Sequence, residues 1–347
     1  MRRKLFNYFA VLLLPFFASS CDINHSEEKN SSLLPPVPPK QRLVGIAYTN
    51  WHSSTDWKNT WGTPELGCYT STDREVIRQH AQWLYDAGVD FVWVDWSNNV
   101  TYIPGQGDET SAHALIERST HMMFEEYSKM KHSPKISIFI GVTGAPESAQ
   151  DGRLQRKADQ LYRMYVSDPK YRKLLQDYLG KPLLVVYVDT PTPWTNGTPD
   201  WNDDRFTVRW MTGFVTEQKY LCTDDLISQY GYWSWEDRGK QTYTVFNGHP
   251  EAMVVTACWR KQFEPTDANY IPAMGRRGGE TFKTQWARAC EIGPKFAMVV
   301  SWNEWVKSEQ PSVEVSKDIE PSKEFGRFYL DLLKEEISKF KSKRTTR

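Results

Sequence analysis

The feature that most constrains the fold is a series of eight short apolar segments spaced along the chain. Most are apolar at nearly every position and rich in β-branched and aromatic residues, as is typical of parallel strands buried on both faces. The sixth segment shows this pattern least clearly. The segments are LVGIAYTN (43–50), DFVWVDW (90–96), KISIFIGV (135–142), PLLVVYV (182–188), FTVRWM (206–211), SQYGYWSW (228–235), AMVVTACW (252–259) and FAMVVSW (296–302).

Helical patterns separate most of these segments. The first begins at Thr72 and Asp73 and ends at Gly88, which are cap and stop signals. Strands that alternate with helices predict an α/β protein, and eight such strands predict a single (β/α)8 TIM barrel. No convincing helix follows the fifth or sixth strand, so we expect irregular connections there. The helical patterns cover 73–87, 109–131, 150–179, 279–292 and 322–341.

Residues 1–20 predict a lipoprotein signal peptide. Positions 2–4 are basic, and the apolar run at 9–17 is too short to cross a bilayer. Small residues then precede Cys21, which resembles a bacterial lipobox, although Ala18 stands where Leu is usual. The resemblance implies cleavage before Cys21 and a lipid on its thiol. An ordinary signal peptide with a chance cysteine is the alternative.

Two further segments complete the predicted domain organisation. Residues 21–41 are polar and then proline-rich, which predicts a tether, and residues 42–341 predict one barrel domain of ordinary length. We therefore expect an exported monomer, anchored by lipid alone in the bacterial cell envelope, at the outer membrane.

Charge and cysteine usage exclude several classes of partner. The chain has 43 basic and 43 acidic residues and no basic cluster outside its termini, which argues against nucleic acid. Cys68, Cys222, Cys258 and Cys290 lack metal-type spacing, and the choice between thiols and disulfides stays open. There is no serine triad, phosphate-binding loop or metal-spaced histidine cluster. We expect neither a metal ion nor a cofactor.

Carboxylates and indoles are concentrated where the predicted strands end, which in such barrels is where active sites are built. The 15 tryptophans exceed what a core needs, and spare indoles stack on the C–H faces of sugar rings. Carboxylates bind sugar hydroxyls and cleave glycosidic bonds, so we expect a poly- or oligosaccharide substrate. The candidate residues are Trp51, His52, Asp95, Trp96, Tyr187, Asp189, Trp235, Trp259, Arg276, Asn303, Glu304 and Trp305.

Several of these residues also have a purely structural explanation. Asp95 can cap the loop that follows it, and His52 can be a hydrogen-bonded structural residue. Trp51 and Trp96 can pack beneath the loops. Arg276 begins a segment that can be a plain turn before a helix.

Glu304 is the strongest catalytic candidate. It follows the last apolar strand and is bracketed by Trp302 and Trp305. Those indoles would partly desolvate the carboxyl group, a setting that suits proton transfer.

Three segments resemble glycoside hydrolase family 99 and its WbsX-like relatives. They are LGCYTSTDREVIRQHAQWLYDAGVDFVWVDWS (66–97), SWNEW (301–305) and IEPSKEFGRFYLDLL (319–333), in the family's order and over most of the chain. The resemblance implies a (β/α)8 barrel and endo-acting cleavage of α-mannosidic linkages. It also implies that the substrate's own 2-hydroxyl displaces the leaving group.

The family's NEW-x-E pattern supplies two glutamates, of which this chain keeps one. The first abstracts the proton of the 2-hydroxyl and matches Glu304, whereas the second protonates the leaving oxygen and is replaced by Lys307. Lysine is a general acid here only if its pKa falls by several units. The resemblance therefore leaves Glu309, Asp95 and Glu320 as alternatives for that role.

Two other functions fit the same residues. A retaining glycosidase of the Asn-Glu superfamily is one, although its Asn-Glu pair follows strand four and the pair here follows strand eight. The other is a non-catalytic, glycan-binding surface lipoprotein on a degenerate barrel, which Lys307 favours. Two carboxyl groups roughly 5–10 Å apart across a cleft would favour an enzyme.

Overall fold

The computed structural model describes one compact unit within residues 40–347, apart from short gaps. Residues 1–40, which hold the predicted signal peptide and the tether with Cys21 except for its last residue, lie outside the described residues, as do the candidates Asp189 and Glu309. The structure describes residues 41–142, 146–188, 200–213, 215–217, 219–261, 264–268, 270–307 and 311–342.

Ten strands form one sheet that curves into a nearly closed barrel. The strands are β1 (Leu43–Tyr48), β2 (Phe91–Trp96), β3 (Lys135–Gly141), β4 (Asp177–Tyr178), β5 (Lys181–Val188), β6 (Thr207–Thr212), β7 (Trp233–Ser234), β8 (Tyr243–Phe246), β9 (His249–Thr256) and β10 (Phe296–Val300). Their order is β7-β6-β5-β3-β2-β1-β10-β9-β8, with β4 beside β5. Pairing is parallel from β7 to β9, whereas β4 and β8 pair antiparallel to their neighbours. The eight parallel strands correspond to the eight predicted segments, which confirms the (β/α)8 TIM barrel.

Helices cover the outside of the sheet. They are α1 (Arg74–Asp86), α2 (Ala112–Lys129), α3 (Arg153–Leu161), α4 (Pro169–Arg172), α5 (Glu280–Ile292) and α6 (Phe328–Ser342). Asp73 caps α1 by accepting the N–H groups of Glu75 and Val76, as its position in the sequence predicts.

The continuous helix predicted over 150–179 is wrong. After α3 the chain passes through a π-helical turn at Tyr162–Val166 and then restarts as α4. Asp168 caps that new start and Pro169 lacks the N–H that a continuing helix needs. The predicted helix over 322–341 begins later, at Phe328, because a turn with Gly326 at φ 57° precedes it.

The connections around β7 are irregular, as the sequence predicts. Single 3₁₀ turns at Val215–Glu217 and Lys219–Leu221 lie between β6 and β7, and β7 itself has two residues. The next predicted strand starts earlier than expected because β8 and β9 form a hairpin. Its turn contains Asn247 (φ 49°) and Gly248 (φ 74°), a pair suited to positive φ.

Side chains alternate between the barrel interior and the layer beneath the helices. On β2, Phe91 and Trp93 belong to the interior core, whereas Val92, Val94 and Trp96 belong to the outer core. This alternation decides which residues at a strand end reach the mouth of the barrel.

Two smaller observations concern membranes and cysteines. No helix in the described part of the chain has the length and apolarity to span a bilayer. Cys68, Cys222, Cys258 and Cys290 are free thiols, which answers the question that the sequence leaves open for these four residues.

Candidate functional site

The carboxyl ends of the parallel strands place several candidate residues at one end of the barrel. Asp95 lies within β2, Glu304 follows β10, and only β1 separates these two strands in the sheet. Tyr187 is the last residue but one of β5 and Trp235 follows β7, and both rings pack on the interior core. We call this end, defined by Asp95, Tyr187, Trp235 and Glu304, the barrel mouth.

Asp318 fixes the backbone that carries Glu304. Its carboxylate accepts the N–H of Glu304 at 2.7 Å and the N–H of Trp305 at 2.9 Å. The Trp61 indole N–H donates to it at 2.7 Å, and the Ser301 hydroxyl donates to it as well. Because the carboxylate is buried, these contacts hold the loop after β10 in one conformation.

A buried lysine joins Glu304 to a second glutamate. Lys317 Nζ lies 3.3 Å from Glu304 Oε2 and 3.0 Å from Glu236 Oε2. Arg238 Nε lies 3.6 Å from Glu236 Oε1. Burial alone would raise the pKa of Glu236, but the nearby cations Lys317 and Arg238 hold it below its usual range.

Glu320 is committed to a buried hydrogen-bond network. One of its oxygens accepts from His80 Nε2 at 2.9 Å, and the other accepts from the Tyr69 hydroxyl at 2.8 Å and from Trp305 Nε1 at 2.7 Å. Trp305 is fully buried and stacks on Trp61 with ring centroids 4.6 Å apart. Both Glu320 and Trp305 therefore lie beneath the mouth.

His52 and Asn303 join the ends of β1 and β10. The Asn303 side chain accepts from the Thr49 N–H at 2.9 Å and donates to the Thr49 carbonyl at 3.1 Å. His52 Nε2 donates to the Asn303 carbonyl at 2.7 Å, and the His52 ring stacks on Trp57 at 4.7 Å. Both side chains are buried, so the structure gives them supporting positions.

Asp95 is deeply buried, and its carboxylate accepts hydrogen bonds from Ser97, one of them from the backbone N–H at 2.7 Å. Burial is the larger effect and raises the pKa of Asp95 to about 6. A carboxyl group with a pKa of about 6 keeps its proton in mildly acidic solution, which is suited to general acid catalysis.

Asp95→Asn should stabilise the protein at neutral pH. The folded pKa of Asp95 lies above its unfolded value of 3.8, so folding opposes ionisation, and the resulting cost is complete above about pH 6. That cost amounts to about 3 kcal/mol and disappears as the pH falls toward 4. Chemical denaturation at pH 7.5 and pH 4 should show stabilisation by Asp95→Asn at the higher pH alone.

Asp108 provides the matched control for this measurement. It is exposed and accepts hydrogen bonds from Thr110, which hold the pKa of Asp108 below its usual range. Asp108→Asn should therefore give no stabilisation at either pH. Equal stability of wild type and Asp95→Asn at pH 7.5 would contradict the proposed burial cost.

Two further candidates, Trp96 and Arg276, lie away from the barrel mouth. Trp96 faces outward, donates to the Thr120 hydroxyl at 2.9 Å and lies under Lys157. Arg276 is fully buried, and its guanidinium donates to the Asp318 carbonyl at 2.6 Å. Neither side chain opens onto the mouth.

Trp51 and Trp259 lie at the ends of β1 and β9. Trp51 is half-buried beside His52. Trp259 is buried, donates to the Pro272 carbonyl at 3.1 Å, and lines a surface cleft of about 270 Å³ with Arg277 among others. Of the two, Trp51 is the more exposed.

Lys307, at the position of the family's second glutamate, is exposed. Its backbone N–H donates to the Asn59 carbonyl at 3.1 Å, next to a bridge between Thr60 and Val306. The side chain of Lys307 is therefore in contact with solvent.

Sequence reasoning missed Glu236, Lys317 and Asp318. Glu236 could have been identified from the sequence. It directly follows Trp235 at the end of the sixth predicted strand, just as Glu304 stands beside tryptophans at the end of the eighth. Lys317 and Asp318 had none, since they lie in a loop that folds back on the mouth from beyond β10. No group of three or more metal-ligating side chains occurs within the part of the chain that the structure describes.

Comparison with known proteins identifies the fold. No protein-family model and no curated protein matches the chain. The structure of the GH99 endo-α-mannosidase from Bacteroides thetaiotaomicron superposes with a TM-score of 0.56 at 16% identity, covering 87% of this chain and 98% of that chain. The complex of that enzyme with bis-tris-propane gives the same values. A glycoside hydrolase-like protein gives a TM-score of 0.49 at 14% identity, covering 87% and 96%. The chain thus has the barrel fold of GH99, as its sequence resemblance predicts.

Proposed function

We propose that this protein is a glycoside hydrolase that cleaves an α-linked, mannan-like glycan by carboxylate acid/base catalysis. The observation that carries the proposal is the buried Glu304 at the barrel mouth, where Asp318 fixes its backbone and Lys317 contacts its carboxylate. The solved structures with this fold include an endo-α-mannosidase, which supports the choice of substrate class.

In this proposal Glu304 acts as the base that removes the proton of the substrate's 2-hydroxyl. Asp95 is the best described candidate for the acid that protonates the leaving oxygen, because of its pKa near 6. Glu320 fits that role poorly because three donors already occupy its oxygens. Trp51, Tyr187 and Trp235 are the candidate sugar-stacking rings.

A non-catalytic glycan-binding protein is the second candidate. The contact between Lys317 and Glu304 favours it, since a carboxylate held by an ammonium is less available as a base. The exposed Lys307 at the position of the family's second glutamate favours it as well.

Incubation of the protein from residue 22 onward with a panel of polysaccharides separates the two candidates. Release of oligosaccharides from an α-linked glycan is the expected result. Binding of a glycan without any released product would identify the binding protein and contradict the hydrolase.

We also propose export and lipid anchoring, which follow from the sequence alone. Cys21→Ala should move the protein from the membrane fraction to the soluble fraction, because the lipid is attached through that thiol. Cys68→Ala, at an exposed cysteine of the barrel, is the matched control. Unchanged fractionation of Cys21→Ala would contradict lipid attachment.

A further inference from the structure

Glu236 is a buried carboxylate at the end of β7 that the proposed reaction does not yet use. It shares Lys317 with Glu304, at 3.0 Å and 3.3 Å from the ammonium nitrogen. Two oxygens at these distances from one nitrogen are at most about 6.3 Å apart. That limit is compatible with the separation of about 5–5.5 Å between the carboxyl groups of retaining glycosidases.

We propose that Glu236 is a further catalytic carboxylate of this site and that Lys317 is the positioning residue that holds it against Glu304. The inference rests on the proposed hydrolase function and extends it. Glu236 neither gains nor loses a proton and forms no bond to the sugar. Its negative charge stabilises the positive charge that develops at the anomeric carbon as the glycosidic bond breaks.

The charges around the pair fit this role. Lys317, Arg238 and Arg260 all act on Glu236, and on balance they hold its pKa below the usual range despite burial. Lys317 contacts the carboxylate of Glu304, and Asp318 accepts the backbone N–H of Glu304. The buried Cys258 lies close enough to Glu236, Lys317 and Asp318 to feel their charges. An ionised Glu236 suits charge stabilisation rather than proton donation.

An aromatic floor lies next to the pair. Lys317 Nζ is 5.9 Å from the centroid of the half-buried Trp235 ring. That ring packs on Trp93 and Phe139 at centroid distances of 5.2 Å and 5.5 Å. These contacts fix the position of the Trp235 ring along the barrel axis. A sugar ring stacked on Trp235 would bring its anomeric carbon toward both carboxylates. The second carboxylate beside Glu304 would then come from the segment after β7, and Asp95 would remain the candidate for the acid.

Glu236→Gln tests the inference directly. It preserves the size of the side chain and removes its charge, so kcat on the cleaved glycan should fall by about 10²-fold. KM should change by less than about threefold, because the lost interaction acts mainly in the transition state. Glu117→Gln is the matched control, since Glu117 is equally buried and ion-paired to Lys157 at 2.6 Å, outside the barrel interior. Thermal unfolding of both variants checks folding, and Glu236→Met, which also removes the charge, replaces Glu236→Gln if the latter does not fold.

Lys317 is tested by the pH profile. Lys317→Met removes the cation between the two carboxylates, while Arg238 and Arg260 remain near Glu236. The repulsion between the carboxylates then makes one of them keep its proton to higher pH. The acid limb of kcat/KM should therefore move upward by about one pH unit. Lys317→Arg keeps the charge and should leave the limb in place, as should Lys157→Met. An unmoved limb in Lys317→Met would overturn the positioning role.

The outcomes separate this inference from the proposed function. Cleavage by wild type with full activity of Glu236→Gln overturns the inference alone. Binding of a glycan without cleavage overturns the hydrolase and, with it, the catalytic role of Glu236. A wild-type protein that neither binds nor cleaves any glycan of the panel overturns both.

Discussion

Glu304→Gln should reduce kcat by about 10²–10⁴-fold on the glycan that wild type cleaves. Glutamine keeps the size of the side chain and most of its hydrogen bonding, but it lacks the basic oxygen that takes the proton of the 2-hydroxyl. Affinity for the glycan should survive, because Trp51, Tyr187 and Trp235 are unchanged. Initial rates of oligosaccharide release, together with a binding measurement on the same glycan, check both parts.

Two further variants locate the acid that acts with Glu304. Asp95→Asn should lower kcat as much as Glu304→Gln does if Asp95 protonates the leaving oxygen. Glu309→Gln tests the alternative two residues beyond Lys307, which lies outside the described residues. Intact hydrolysis in Glu304→Gln would refute the assignment of the base whatever these two variants show.

The barrel was predictable because its strands are buried on both faces. Such strands are apolar at almost every position, and β2 and β10 are clear examples. The two-residue β7 is too short to give that signal. The hairpin of β8 and β9 was not predicted, although Asn247 and Gly248 form a recognisable turn, because β8 has four residues and only one of them is buried.

The candidate site was predictable only in its location. A strand end in a (β/α)8 barrel marks the mouth, so Asp95 and Glu304 are readable from one sequence. Which face a side chain takes follows from the alternation along the strand, and this separates the inward Asp95 from the outward Trp96. Lys317 contacts Glu236 although the two residues are 81 positions apart in the sequence. Lys317 lies in an irregular loop, so no local sequence pattern predicts that contact.

Asp318 lies in the same loop, and its substitution is the one that we expect to lower the free energy of unfolding most. Asp318 receives four hydrogen bonds at its carboxylate, two of them from the backbone of Glu304 and Trp305. Asp318→Ala leaves those buried donors unsatisfied, so the free energy of unfolding should fall by about 4 kcal/mol. The free energy of unfolding of Asp318→Asn should lie between those of wild type and Asp318→Ala, because one side-chain oxygen still accepts hydrogen bonds.

Urea denaturation midpoints measured at unchanged m-value test this expectation. Asp331→Ala, at an exposed aspartate in the first turn of α6, is the control and should change stability by less than about 0.5 kcal/mol. A loss below about 1 kcal/mol in Asp318→Ala would show that the loop is held by other contacts. At temperatures where Asp318→Ala remains folded, its hydrolytic rate should still fall toward that of Glu304→Gln, since the backbone of the base is no longer fixed.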